Sequence, residues 1–593
     1  MRLETKRLAI LAALVLSSLT CGPLSGVREA KEEALATVPP VAAAATSTAP
    51  KPAAPEPEEA SGQDKPSTTP AVSTASANGA TYYVGQTGCS DAGPGDDQDP
   101  FCSFATALSH LAPGDTLIVK NGVYSDQLAV DGLAGTLDAP ILIRGESRDG
   151  VILDGGCLSF PCSVNDVNWE QNWEGMVKVT NSDHLTISDL TARNDIGFGI
   201  MVNGGISMTI KNTLIEGTGN GGLIVQSDPV APQVTDNEVR RTNMGWRDES
   251  GSLHDGDHEA ISIIRASDFV VANNYVHDVF EEGIDIKESS TNGEVRDNFV
   301  ERACSVGIYI NEADDVRIYR NQVRRSGYFL ASGNQEQLCS DYPDLGRLYG
   351  RYFGDAILLA VGDLGELSQG RLSGIQVYQN VVWDAHGNGL QFWDQLKESG
   401  TGSGTMTGNR VYNNVFYNTA LGGIRLDDIE DTMVVNNIVA LNDEEGITGN
   451  ATTDNTVSHN LFFFRYDWQQ PVGTAYVIGD PLFADPVSGR FHLQESSPAI
   501  DSGLDMGLPY AGSAPDIGAH EYGLPSAGDC RPAANAPVDV AGKTTTPQAT
   551  TSCWVYLPQA LSSPIAEPMG DLPVASPPTL PRTAPVASVT DWS

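Results

Sequence analysis

The sequence predicts an all-β solenoid, in which short coils of parallel strands stack on one another. Three stretches share one register: His258-Glu-Ala-Ile-Ser-Ile-Ile264, Glu282-Gly-Ile-Asp-Ile-Lys-Glu288 and Val306-Gly-Ile-Tyr-Ile-Asn-Glu312. Within them, Glu259, Gly283 and Gly307 lie 24 residues apart, and a fixed period of this size is typical of solenoids. The chain also contains 61 glycines and only 19% charged residues, which favours many tight turns over exposed helices.

Each coil of the repeat, from about 140 to 465, is predicted to contain two recurring short strands. One has the form Gly-Ile-x-Ile, as in Gly199-Ile-Met-Val202, Gly222-Leu-Ile-Val225, Gly283-Ile-Asp-Ile286, Gly307-Ile-Tyr-Ile310, Gly389-Leu-Gln-Phe392 and Gly423-Ile-Arg-Leu426. The other ends in an asparagine before an apolar residue: Asn237, Asn274, Asn298, Asn321, Asn380, Asn414, Asn437 and Asn460. Strand alternation would point the Ile and Val side chains into a narrow core. Asparagine at a bend tolerates left-handed geometry and can bond to its counterpart in the next coil.

The solenoid is predicted to span residues 81–480. It begins at Thr81-Tyr-Tyr-Val84, and the run from Phe104 to Leu111 predicts a short N-terminal helix. Insertions are expected at about 226–256 and 326–353, where loops would shape a binding face. The pattern changes after 480, and residues 481–523 are predicted to form a C-terminal cap over the last coil.

The N-terminus predicts export from the cell. Arg2, Lys6 and Arg7 precede an apolar run, Leu8 to Leu16, that is too short to span a bilayer. Residues 1–21 resemble a bacterial lipoprotein signal with Cys21 as the lipidated residue; an ordinary secretory signal is the alternative. The protein is thus expected at the cell surface or outside the cell, with contact to a membrane only through such an anchor. Residues 22–80 are predicted to be a disordered Ala/Pro/Thr linker, and 524–593 a Pro/Ala-rich tail.

Charge and cysteine content narrow the functional classes. The formal charge of −41 argues against nucleic acid as a partner. It allows an acidic polysaccharide as a partner, provided that a local cation reverses the electrostatic field at the binding site. The protein is expected to be a monomer. Nine cysteines leave one unpaired, which Cys21 would account for. The other eight are assigned to disulfides by proximity alone: Cys89 with Cys102, Cys157 with Cys162, Cys304 with Cys339, and Cys530 with Cys553.

The repeat also predicts a column of acids. The 24-residue register places Asp257 directly over Glu281, with Glu282 and Asp285 beside them. Asp285 and Lys287 would point outward together, because Ile284 and Ile286 point inward. Stacked carboxylates repel one another unless a cation lies among them, and Ca²⁺ favours many carboxylate oxygens. The sequence therefore predicts a calcium site.

Two resemblances indicate an activity. The opening at Thr81 and its helix resemble the N-terminal part of right-handed parallel β-helix proteins of the pectate-lyase-like superfamily. The spacing of Asp257, Glu281, Glu282 and Asp285 resembles the calcium site of one family of β-helix pectate lyases, which implies these four residues as ligands. In addition, Asp257-His-Glu259 followed by His277-Asp278 is similar to motifs of β-helix alginate C5-epimerases. Both kinds of enzyme begin by removing the C5 proton of a uronic acid.

The function predicted first is an extracellular or surface-tethered polysaccharide lyase that uses calcium-assisted β-elimination. A uronate C5-epimerase and a non-catalytic carbohydrate-binding β-helix remain as alternatives. Lys287 is the first candidate base, with His258 and Arg317 behind it. The expected substrate-binding residues are Tyr309, Asn311, Trp246 and Arg320.

Overall fold

A computed structural model describes residues 79–158, 161–164, 174–254, 256, 258–331, 335–341, 354–362, 369–450 and 454–524. The predicted signal with Cys21, nearly all of the linker, the tail with Cys530 and Cys553, and Asp257 all lie outside these ranges. Within the described residues, no helix has the length and apolar character needed to cross a membrane.

Three long parallel sheets, here named I, II and III, form the faces of the coils. Sheet I contains thirteen strands: Thr81–Val84, Thr116–Val119, Ile141–Gly145, Leu185–Ser188, Thr209–Lys211, Gln233–Thr235, Val270–Ala272, Glu294–Arg296, Arg317–Tyr319, Gln376–Tyr378, Arg410–Tyr412, Met433–Val435 and Thr456–Ser458. Sheet II contains thirteen more: Gly122–Tyr124, Val151–Asp154, Thr191–Asp195, Leu214–Thr218, Glu238–Arg240, Tyr275–Val279, Phe299–Ala303, Gln322–Arg324, Val381–Trp383, Val415–Tyr417, Ile438–Ala440, Leu461–Phe463 and Val477–Ile478. Sheet III contains eleven: Leu128–Asp131, Gly175–Thr180, Phe198–Asn203, Gly221–Gln226, Ile261–Ile264, Ile284–Lys287, Ile308–Asn311, Ile357–Val361, Leu390–Asp394, Ile424–Leu426 and Ile447–Thr448.

Each coil contributes one strand to each sheet in turn, so the predicted parallel β-helix is confirmed, with three strands per coil rather than two. The alternation within the strands explains the packing. In sheet III, Ile284 and Ile286 are fully buried in the central core, and Ile308 and Ile310 stack on them from the next coil. Apolar side chains from all three sheets fill this core along the stack.

The predicted asparagine ladder is confirmed. In each of the seven predicted residues from Asn237 to Asn437, the backbone N–H and the side-chain Nδ2 both donate to Oδ1 of the ladder asparagine in the next coil, at 2.9–3.1 Å. Asn460 ends the series as an acceptor. The left-handed backbone falls one residue earlier than expected, for example at Asp297 (φ 56°) before Asn298. The buried amides therefore satisfy one another at the bend between sheets I and II.

Smaller elements complete the fold. The helix Phe104–Leu108 ends three residues before its predicted end and buries Phe104 and Ala107 in the first coils. A second short helix spans Gln395–Ser399 and 3₁₀ turns span Cys339–Asp341 and Pro486–Ser488. The remaining strands are Cys162–Ser163, Trp246–Arg247, Leu253–His254, Tyr328–Ala331, Gln335–Leu338, Arg371–Ser373, Thr405–Thr407, Ile429–Glu430, Phe483–Asp485 and Arg490–Leu493.

The insertions and the C-terminal segment differ in part from the sequence prediction. Strands Gln233–Thr235 and Glu238–Arg240 are regular parts of sheets I and II, so the first insertion begins later than residue 226. Residues 481–523 were expected to cover the last coil. Instead, Phe491, Ile517 and neighbouring residues pack against the outer face of sheet II across several coils, where that face is apolar.

Disulfides join Cys89 to Cys102, Cys157 to Cys162 and Cys304 to Cys339, the pairs assigned by proximity. The last of these holds the base of the hairpin formed by Tyr328–Ala331 and Gln335–Leu338. Disulfides of this kind are typical of proteins that fold in an oxidising compartment.

Candidate active site

The candidate site lies on the outer face of sheet III, around strand Ile284–Lys287. Asp285 and Lys287 alternate with the inward Ile284 and Ile286, as predicted. They do not face open solvent, however, since Asp285 is only 1% exposed.

The coil register differs from the sequence alignment by one residue. Ile261 pairs with Ile284, an offset of 23 residues, whereas Ile284 pairs with Ile308 at the expected 24. Consequently Ser262, and not Ile261, stacks against Asp285. The same shift places Glu259 in line with Glu282, whereas the 24-residue register had aligned it with Gly283.

Lys287 forms a buried double ion pair. Its Nζ lies 2.5 Å from Glu259 Oε1 and 3.1 Å from Asp285 Oδ2. Ser262 donates to the other oxygen of Glu259 at 2.5 Å, and Ser305 donates to Glu282 Oε1 at 2.8 Å. We call Glu259, Glu282, Asp285 and Lys287 the acid–lysine cluster.

Burial and crowding separate the pKa values of this cluster. Burial alone would raise the pKa of Glu259, but the charges of Lys287 and His258 outweigh it and bring that pKa to about 2. Burial together with the charge of Glu259 raises the pKa of Glu282 to about 7. Burial also raises the pKa of Asp285 well above its usual range, against the pull of Lys287. Lys287 itself has a raised pKa because Glu259 and Asp285 outweigh the effect of burial.

These pKa shifts argue against Lys287, the residue predicted first as the catalytic base. Lys287 is held firmly as an ammonium ion, so it cannot accept a proton near neutral pH. Glu282 is the group in the cluster whose pKa lies near neutrality, and it was predicted as a metal ligand. Acids and bases that act at neutral pH need a pKa in that range.

Tyr309 and Asn311, both predicted to contact substrate, do lie at the cluster. They stack against Asp285 and Lys287 from the next coil. Gln395 donates to the Tyr309 hydroxyl at 3.2 Å. Burial, followed by the charge of Asp285, raises the pKa of Tyr309 well above its usual range, so its hydroxyl stays protonated.

Two buried acceptor atoms at the cluster have no hydrogen-bond partner among the described residues. They are Asp285 Oδ1 and Asn311 Oδ1. Buried acceptors without partners are uncommon in folded proteins and point to a ligand, an ion or water at that position.

Beside the cluster, Glu281 is buried and His258 is half-buried. The ring of His258 lies 5.3 Å from that of Phe198. Burial, assisted by the charge of Lys287, lowers the pKa of His258 to about 4, so the ring is neutral at pH 7. Glu281 is buried at the turn that precedes strand Ile284–Lys287.

Three predicted site residues lie elsewhere. Arg317 is on the outer face of sheet I, where it donates to Glu294 at 2.6 Å. Arg320 pairs with Asp297 at 2.8 Å at the adjoining bend. Trp246 stacks on His254 within the first insertion, with ring centroids 4.2 Å apart. The sequence stretch after Tyr309 passes from sheet III into sheet I, which separates Arg317 and Arg320 from Lys287.

The His277-Asp278 pair of the epimerase-like motif also lies on another face. It belongs to strand Tyr275–Val279 of sheet II, where His277 Nδ1 lies 2.6 Å from Asp278 Oδ2. Arg302 binds the same carboxylate through its Nε at 2.6 Å. The structure therefore does not place this pair beside Lys287.

The described part of the predicted calcium-ligand set does not fit a calcium ion. Its oxygen donors have suitable chemistry. However, Lys287 Nζ already lies between the carboxylates of Glu259 and Asp285. Among the side chains that the structure describes, no three His, Cys, Asp or Glu residues converge in an arrangement able to hold a metal.

Sequence reasoning missed Glu259, Ser262 and Gln395 as parts of the site. Glu259 was visible in the repeat, but the 24-residue register aligned it with a glycine. Gln395 comes from the short helix Gln395–Ser399, about 86 residues beyond Tyr309. A periodic pattern carries no signal for such a contact.

Comparisons with known proteins agree with this fold. Residues 149–328 match the family described as "Right handed beta helix region". A Bacillus subtilis (strain 168) protein, the uncharacterised YwoF, is 23% identical over 486 residues, which cover 71% of this chain and 92% of that protein.

Solved structures of polysaccharide lyases match this chain at low identity and low TM-score. Pectate lyase Pel9A is 16% identical with a TM-score of 0.42, and the alignment covers 75% of this chain and 96% of that one. The alginate lyase from Paenibacillus sp. str. FPU-7 is 15% identical with a TM-score of 0.36, covering 56% and 94%. The PL6 family alginate lyase AlyGC is 14% identical with a TM-score of 0.38, covering 66% and 54%.

Proposed function

We propose that the acid–lysine cluster binds a uronic-acid unit of an acidic polysaccharide and removes its C5 proton, so that the polymer is cleaved by β-elimination. The observation that carries the proposal is the buried ammonium of Lys287, in contact with two carboxylates and beside unpartnered acceptor atoms. A purely structural ion pair has no need for a neighbouring carboxyl whose pKa is about 7.

The charge state of the cluster supports binding of an anion. Glu259 and Lys287 neutralise each other, and the pKa values of Asp285 and Glu282 are both raised, which favours the neutral forms of these two carboxyls. The cluster therefore does not repel a carboxylate as four independent ions would. An ammonium has three N–H donors, and the two carboxylates account for two of them. The third would bind the substrate carboxylate, on which negative charge builds up as C5 is deprotonated.

Glu282 and Tyr309 are assigned the proton transfers. The Glu282 carboxylate takes the proton from C5, and the released electron pair forms the C4–C5 double bond as the C4–O4 bond breaks. The leaving O4 takes a proton from the Tyr309 hydroxyl, which Gln395 orients. Exchange with solvent then returns the proton from Glu282 to the medium and restores the Tyr309 hydroxyl.

The test is ultraviolet absorbance of the unsaturated sugar end during incubation with polygalacturonate or alginate. Wild-type protein should generate the signal, and both Glu282→Gln and Lys287→Ala should reduce it at least 100-fold, in line with the loss of one proton-transfer group or one charge stabiliser. Glu430→Gln and Lys211→Ala are matched controls, because both side chains are exposed on other strands. These controls should retain full activity.

Calcium is tested in the same assay. If Lys287 is the cation that serves the substrate, removal of calcium by a chelator leaves the initial rate unchanged. A rate that collapses with the chelator and returns with added Ca²⁺ would show that the residues outside the described ranges, Asp257 among them, complete a metal site.

A non-catalytic β-helix is the second candidate, and a specific observation favours it. Glu259, Glu282 and Asp285 are all nearly inaccessible to solvent, as in a structural ion pair. In that case no uronate polymer would yield unsaturated ends or a changed sugar ratio, although Lys287→Ala would still lower stability. A changed sugar ratio without new absorbance would instead indicate the C5-epimerase.

A further inference from the structure

A second site lies on a different edge of the β-helix from the acid–lysine cluster. A cleft of about 360 Å³ opens at the bend between sheets II and III. Its lining is mostly polar and includes Arg325, Tyr328, Glu336, Asp384, Asn418 and Asp443. This volume is at the lower end of the range for small-molecule sites, which suits one or two sugar rings.

The cleft runs along the stack of coils. Arg325, Asp384, Asn418 and Asp443 follow four successive strands of sheet II. With roughly 4.8 Å between neighbouring strands, these residues span roughly 15 Å. A ligand that fills the cleft would therefore be extended along the axis of the helix.

An exposed aromatic pair adjoins the cleft. Tyr466 and Trp468, on the loop after strand Leu461–Phe463, are 43% and 55% exposed. Their ring planes differ by only 11°, and their centroids are 5.8 Å apart. The pair differs from other exposed aromatic residues of the chain in being stacked at the rim of a cleft, and an exposed apolar patch of this kind marks an interaction site.

The loop that carries the pair is fixed by a buried glutamine. Gln469 is 4% exposed, and its side-chain oxygen accepts from the backbone N–H groups of Arg465 and Tyr466 at 2.9 and 3.0 Å. Its amide nitrogen donates to the Asn442 carbonyl at 3.0 Å. The aromatic pair is thus held in place before any ligand arrives, which lowers the entropic cost of binding.

Arg465 connects the aromatic pair to the cleft. Its Nε lies 3.1 Å from Asp443 Oδ1, and its guanidinium also donates to Asn418 Oδ1. Both partners line the cleft, and Tyr466 follows Arg465 in the chain. We call the cleft and the pair together the Trp468 surface.

We propose that the Trp468 surface binds a neutral polysaccharide. Sugar rings present an apolar C–H face that packs on an aromatic ring, and a rim of hydroxyl groups. Carboxylate and amide oxygens such as those of Asp384 and Asn418 accept hydrogen bonds from hydroxyls. Acidic residues outnumber basic ones at the cleft, with Glu336, Asp384 and Asp443 against Arg325 and Arg465, which disfavours an acidic polymer. The inference goes beyond the proposed lyase activity and does not depend on it.

The experiment is native gel electrophoresis of the full chain through gels that contain galactomannan, xyloglucan, mixed-linkage β-glucan or dextran, with alginate and polygalacturonate for comparison. At least one neutral polymer should retard the wild-type protein. The double variant Tyr466→Ala/Trp468→Ala should bind at least about tenfold more weakly, since loss of one stacking ring costs roughly 1–3 kcal/mol. Gln469→Ala keeps both rings but releases the loop, and should also weaken binding.

A matched control keeps the result specific. Tyr510→Ala/Tyr522→Ala removes two tyrosines of similar exposure, 43% and 41%, in the C-terminal segment and should bind as the wild type does. Lys287→Ala should also leave retardation unchanged, so a failure of the lyase proposal is distinguishable from a failure of this one.

Three results would overturn the proposal. The first is that no neutral polymer retards the wild-type protein, or that only acidic polymers do. The second is that the double variant is retarded as strongly as the wild type. The third is a concentration-dependent dimer in sedimentation experiments that the double variant abolishes while no polymer binds, because the surface would then be a contact between copies of the chain.

Discussion

Replacement of Lys287 by methionine tests the energetic role of the acid–lysine cluster directly. Methionine keeps much of the side-chain volume but removes the ammonium that lies 2.5 Å from Glu259 and 3.1 Å from Asp285. Removal of one partner from a buried ion pair typically costs about 3–5 kcal/mol, because the other partner is left charged and desolvated. The cost should lie near the lower end, about 3 kcal/mol, because the raised pKa of Asp285 lets that carboxyl take up a proton more readily than Glu259 does.

The assay is chemical unfolding at pH 7, followed by tryptophan fluorescence and circular dichroism. The double variant Glu259→Gln/Lys287→Met should recover most of the lost free energy of unfolding, because it removes both charges. Lys120→Met is the control: Lys120 and Asp97 are 2.7 Å apart, but their side chains are 29% and 54% exposed, so a much smaller change than in Lys287→Met is expected.

The pH dependence of this difference has a definite sign. The wild-type pKa of Glu259 is lowered to about 2, so its contribution to stability is present above its ordinary pKa and is lost as the pH falls through about 2. The difference in free energy of unfolding between the wild type and Lys287→Met should therefore become smaller as the pH falls from about 4.5 to about 2. If Lys287→Met lowers the denaturant concentration at the unfolding midpoint no more than Lys120→Met does, the buried ion pair does not stabilise the fold as argued.

Further predictions concern other parts of the chain. Because the pKa of Glu282 is raised to about 7, its protonated form stabilises the folded state. The free energy of unfolding should therefore fall by about 3 kcal/mol as the pH rises from about 4.5 to about 7, and the Glu282→Gln variant should lack this pH dependence. Asn298→Leu removes the acceptor of two Asn274 donors and should cost about 1–3 kcal/mol in denaturant unfolding, whereas Gln322→Leu at an exposed strand position should cost little. Cys304→Ser with Cys339→Ser should speed proteolytic cleavage in the hairpin that this disulfide anchors, while the hydrogen exchange of sheet III stays unchanged.

The fold was predictable because its strongest signals are local and repeated. The ladder from Asn237 to Asn460 appears in the sequence as an asparagine before an apolar residue, spaced by 23 or 24 residues in four of the seven steps and by 34 to 59 in the others. The structure joins these residues by side-chain hydrogen bonds. The Ile pairs of sheet III are equally regular and enter the core as expected. By contrast, the C-terminal segment packs laterally on sheet II, and this was not predictable, because an apolar outer face around Val415 and Ile438 looks like any other strand in the sequence.

The site was only partly predictable because a solenoid tolerates coils of unequal length. A coil that is one residue shorter still stacks its inward side chains on those of the next coil. The difference in length falls in the bends between the strands, so the packing of the core is unchanged. On the outer face, however, that single residue decides which carboxylates meet. The 23-residue coil from Ile261 to Ile284 lines up Glu259 with Glu282 and brings Glu259 within reach of Lys287. Lys287 thereby changes from a proposed base, beside acids neutralised by calcium, into the cation that neutralises them. In the proposed mechanism the proton acceptor is therefore one of the acids, Glu282, whose pKa is raised toward neutrality by burial and by the charge of Glu259.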